Sequence, residues 1–127
     1  MSAVRDKQKE KNSLMTKTDK ENLQNKKLTS SMILSCLVTC ESIISKNAYL
    51  EKKWSNYYVC ANQSASLEYK NKRLDWMAYR EKLRSLLLPI YSMKMIIQMT
   101  KSCTDKATQK EVKEVIKLIE KNDYVLA

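Results

Sequence analysis

A chain of 127 residues without a single glycine is barred from most folds. Average usage is about 7 %, and several architectures depend on it. Tight β-hairpins, phosphate-cradling loops and dinucleotide-binding turns need glycine where φ is positive or where backbone must approach a ligand. Proline is almost as scarce, with Pro89 alone. A few long helices with short joints satisfy these limits; a sandwich, a barrel or an α/β sheet does not.

The apolar spacing points the same way. From Tyr69, steps of three and four give Lys72, Trp76, Tyr79, Leu83, Leu86, Ile90, Met93 and Ile97, all apolar or aromatic except Lys72. A 3.5-residue period puts these side chains on one stripe of a helix that packs along its length. An earlier seam runs through Cys36, Cys40, Ile43, Asn47, Leu50, Trp54, Tyr57 and Ala61. Ile33, Leu37 and Ile44 widen its first half, so that half is expected to touch more than one neighbour. Asn47 is either a register-setting polar residue on this seam or a residue at its watery edge.

Local signals set the expected boundaries. Thr29, Ser30 and Ser31 precede the first apolar run and are good N-caps. Asn62 to Ser66 is small and polar, and is the expected joint between two antiparallel helices; a hairpin is favoured because an unbroken rod would expose both apolar faces. The second helix is then expected over about 67–101, with Pro89 kinking it instead of ending it. Thr108 and Glu111 have capping-box spacing, and a last helix over about 105–122 buries Val112, Val115, Ile116 and Ile119. Tyr124 to Leu126 form an apolar tip expected to dock. Residues 1–28 bury little and read as a disordered basic tail. The expected fold is therefore all-α: that tail, then one helical domain over 29–127, built as a long, coiled-coil-like antiparallel hairpin with a shorter C-terminal helix.

The residue types argue against catalysis. Histidine is absent, which removes the usual general base and the commonest metal ligand. The carboxylates lie in polar sequence beside Lys or Arg, so no pair is set up for acid–base work. Cys36 and Cys40 share a helical face while Cys60 and Cys103 are remote, which suits buried thiols better than a zinc site. No cofactor and no small-molecule substrate is expected. The charged start without an apolar run predicts no secretory signal and a cytoplasmic or nuclear setting with reduced thiols. The most apolar window, Leu86 to Met99, is too short and polar to span a bilayer, so no membrane insertion is expected.

What remains is binding. The formal charge is +10, concentrated at two places. Residues 1–28 carry eight basic and four acidic groups, and residues 67–103 carry eight and three. Phenylalanine is missing, so Trp54, Trp76 and seven tyrosines supply the aromatic bulk, and their polar atoms favour positions at interfaces. The sequence predicts a non-catalytic adaptor or structural subunit that forms hetero-oligomers with other helical chains. Leu50, Trp54 and Tyr57 would meet Trp76, Tyr79 and Leu83 across the hairpin or pair with a partner. The alternative is a nucleic-acid-binding accessory protein, using the tail and a cluster of Lys70, Lys72, Arg73, Arg80, Lys82 and Arg84 interleaved with aromatics.

Overall fold

The computed structural model describes residues 16–55 and 60–127. Five helices dominate them: α1 (Lys17–Gln24), α2 (Ser30–Ser55), α3 (Cys60–Leu87), α4 (Met93–Ser102) and α5 (Gln109–Glu120). Two short strands, β1 (Lys27–Leu28) and β2 (Val125–Leu126), complete the order. The chain divides into two compact units, the first made of residues up to Thr39 together with Lys82–Ala127, the second of Cys40–Glu81.

The first unit has the broad core that the widened start of the early seam predicts. Met32, Ile33, Cys36 and Leu37 of α2 are buried, as are Leu83 and Leu87 of α3, Ile96 of α4, and Val112, Val115 and Ile116 of α5. Thr29 starts α2, its hydroxyl accepting the Met32 N–H at 3.2 Å. Thr108 and Glu111 form the expected capping box at the head of α5. Between α4 and α5, Ala107 is strapped onto α2. Its N–H donates to the Ser35 carbonyl at 3.1 Å, and its carbonyl accepts the Thr39 hydroxyl. Both backbone groups of a buried residue are thereby satisfied.

Three expectations change here. The segment read as tail through residue 28 is structured from Thr16 onward; its first 15 residues lie outside the described range. Thr16 caps α1 by accepting the Asp19 N–H at 3.1 Å, and Leu28 is buried. Second, Pro89 ends α3 instead of kinking it. Without an N–H it cannot continue the ladder, so the chain turns through residues 88–90 and a fresh helix starts after Ser92, whose hydroxyl accepts the Met95 N–H. The cap stands three residues after the proline, not before it. Third, the apolar tip docks as a strand. β2 pairs with β1 in parallel, Lys27 opposite Val125 and Leu28 opposite Leu126.

A glycine-free chain must still leave its helices, and it uses Lys26 (φ 58°) and Asn122 (φ 52°). At the end of α5, Asn122 N–H bonds the Ile119 carbonyl and Asp123 N–H bonds that of Leu118, the two bonds of a Schellman motif. The two turns are joined by Lys26 Nζ and Asp123 Oδ2 at 2.6 Å. Asparagine tolerates this left-handed geometry but glycine suits it better. Asn122→Gly is expected to raise stability by about 0.5–1 kcal/mol, and Asn122→Val to lower it by about 1–2 kcal/mol, read from denaturant midpoints.

The second unit is a helix pair. It holds the later part of α2, which ends at Ser55, and the earlier part of α3, which begins at Cys60. Asn62 to Ser66, read as the joint, instead lies inside α3.

Candidate functional site

Polar contacts across this pair fix its direction and register. Arg73 Nε donates to Glu51 Oε2 at 2.8 Å, and Arg80 Nη1 to Glu41 Oε1 at 3.0 Å. The Ser66 hydroxyl donates to the Glu51 carbonyl at 3.1 Å. Partners move down α2 as they move up α3, so the helices are antiparallel. Interpolating between the two ion pairs puts Trp76 level with residues 45–48 of α2.

Leu50, Trp54 and Tyr57 are the residues expected to meet Trp76, Tyr79 and Leu83 across the pair or to contact a partner. Tyr57 lies outside the described residues. Leu50 and Trp54 are half-buried.

The aromatic anchor lies inside. Trp76 is 3 % exposed and meets Tyr79 edge-on, with ring centroids 5.1 Å apart at 76°. Asn47 is buried too, and its side-chain amide donates to the Ile43 carbonyl one turn back at 2.7 Å. That bond satisfies a donor within α2, and the burial of Asn47 places it away from a watery edge. Leu83, in the first unit, is fully buried. Trp76 and Leu83 therefore serve the chain's own interior.

The basic cluster does not form one free patch. Arg73 and Arg80 hold Glu51 and Glu41, and Lys82 Nζ bonds Glu120 Oε1 at 2.7 Å. Arg84 is half-buried, and Lys70 and Lys72 are exposed. The exposed pair of Lys82 and Glu120 contributes little, about 0–1 kcal/mol, but all three pairs occupy these cations.

The outward face of α3 holds what the sequence reading passed over. Leu67 is 55 % exposed and Leu74 45 %. Seven residues at 100° each return to within about 20° of the same direction, so the two leucines form one stripe. It lies about half a turn from Trp76, opposite the packed side. Their spacing was visible in the sequence, but the richer seam through Tyr69 and Trp76 claimed the helix for a different face.

Other features offer less. A groove of about 320 Å³ runs between α1 and α5, with Leu23 and Leu118 among its lining residues. Its rim alternates Lys26, Lys117 and Lys121 with Glu114 and Asp123, so it selects no charge. Cys36 and Cys40 are buried, as small apolar side chains are. Among the described residues no cluster of Cys, Asp and Glu has the arrangement of a metal site. Comparison with protein-family models, curated proteins and solved structures returns no match.

Proposed function

We propose that this chain is a non-catalytic adaptor or structural subunit of a multiprotein complex, and that a partner helix lies along the outward stripe of α3. One observation carries the reading: Leu67 and Leu74 stand exposed at heptad spacing on a helix whose other face is already filled. Apolar residues at this spacing are what a second helix packs against. The partner is accordingly a helical chain, in a hetero-oligomer. This moves the partner contact from Trp76 and Leu83, which the chain buries itself, to the opposite side of α3.

Nucleic-acid contact has less support. Lys70 and Lys72 remain for phosphates, whereas Arg73, Arg80 and Lys82 are occupied by Glu51, Glu41 and Glu120. Trp76 is too buried to stack on a base.

Affinity purification of the full chain at low salt tests the adaptor reading. A helical chain is expected to co-purify with the wild type and to be lost with the Leu67→Glu, Leu74→Glu variant. The variant's far-UV circular dichroism and melting should stay unchanged, because both positions face solvent. A monodisperse, cooperatively melting monomer that retains no other chain would contradict it.

A further inference from the structure

Within the first unit, the turn that replaces the expected kink leaves apolar side chains in water. Ile90 is 65 % exposed and Leu88 45 %, with Pro89 exposed between them. Met95 and Ile97 on α4 are exposed as well. They cannot be turned inward, because Ile96 and Thr100 already hold the other face of α4 in the core. Such patches on a folded chain mark an interaction surface.

Along this segment of the chain the charge is of one sign. From Lys82 to Thr104 there is no acidic residue, while Lys82, Arg84, Lys94 and Lys101 are basic. Lys82 is held by Glu120, but Lys94 and Lys101 are exposed on α4. An apolar tip beside lysines matches a surface that is negative outside and oily beneath. Consecutive residues of a turn point in different directions, so a rigid protein face meets only some of them, whereas lipid flows around all of them.

We propose that the α3–α4 turn and the outer side of α4 form a docking surface for an anionic lipid bilayer, with Leu88 and Ile90 seated at the acyl boundary and Lys94 and Lys101 among the headgroups. Apolar insertion and basic attraction reinforce each other, each alone being marginal. No spanning segment is needed, and among the described residues no helix is long and apolar enough to cross a membrane. The aromatic rings of the seam, Tyr69, Trp76 and Tyr79, all precede Pro89, and beyond it, apart from Tyr91, the apolar side chains up to Met99 are aliphatic or thioether.

Flotation of the full chain with vesicles tests the surface. Partition is expected into vesicles carrying about 30 % phosphatidylserine and not into pure phosphatidylcholine. Leu88→Ser with Ile90→Ser should weaken it about tenfold, and Lys94→Gln with Lys101→Gln about 30-fold. All four positions are exposed, so melting curves should match the wild type. The Leu67→Glu, Leu74→Glu variant should partition normally, which separates this surface from the helix-binding stripe. Failure to bind anionic vesicles would overturn the proposal, as would binding that survives Leu88→Ser with Ile90→Ser. A full chain that ignores vesicles but binds a Glu/Leu amphipathic peptide, in a manner lost with Ile90→Ser, would assign the surface to an acidic protein instead.

Discussion

Trp76→Ala is expected to lower the unfolding free energy by about 3–5 kcal/mol, the usual cost of removing a buried large aromatic. Three terms add. The indole's transfer from water is lost, a cavity opens between the helices, and the edge-on contact with Tyr79 disappears, itself contributing about 0.5–1.5 kcal/mol. For a domain stable by only about 5–15 kcal/mol, that is a large share. Urea denaturation followed by circular dichroism should show the midpoint falling steeply, while Leu74→Ala moves it little. An unchanged midpoint for Trp76→Ala would mean that the indole faces solvent or a partner.

Leu83→Ala should cost about 2–5 kcal/mol. The side chain is fully buried in the first unit, where Leu87, Ile96 and Val115 are also buried, and a methyl cannot fill its volume. If Leu83 were a partner contact, the isolated chain would tolerate the change and only complex formation would suffer. The two outcomes are separated by measuring the melting of the purified chain alone.

Much of the helical frame is legible in the residues. Thr29 and the capping box of Thr108 and Glu111 start helices where their side chains accept backbone N–H groups, a local matter that spacing reveals. The buried stripe of Val112, Val115 and Ile116 follows directly from a 3.6-residue period. The failures are non-local or depend on weak signals. α1 is a polar segment that its sequence alone does not hold together, and Leu28, just beyond it, becomes buried in the first unit. The β1–β2 pairing joins residues almost a hundred positions apart, which no short window contains. In a chain without glycine the polar run at 62–66 is the best local candidate for a joint, yet it lies within a helix.

Candidate surfaces were less visible than helices for one physical reason. Seam spacing says which residues share a stripe but not which partner covers it. The aromatic stripe is covered by the chain itself, and the plainer leucines are what remain outside. Pro89 acts similarly: by ending α3 it exposes Ile90, which an uninterrupted seam would have kept in line with Leu83, and Leu88 is exposed beside it.

The most direct test is photo-crosslinking, with a photoreactive residue placed in turn at Leu67, Leu74 and Tyr49, all exposed positions that leave the fold intact. Tyr49 lies on α2 about 200° around from the buried Asn47 and is 66 % exposed. Capture of the same helical chain from positions 67 and 74, and not from 49, is the predicted result. Capture from 49 alone, or from none of the three in the chain's native cell, would contradict a partner helix on the outer face of α3.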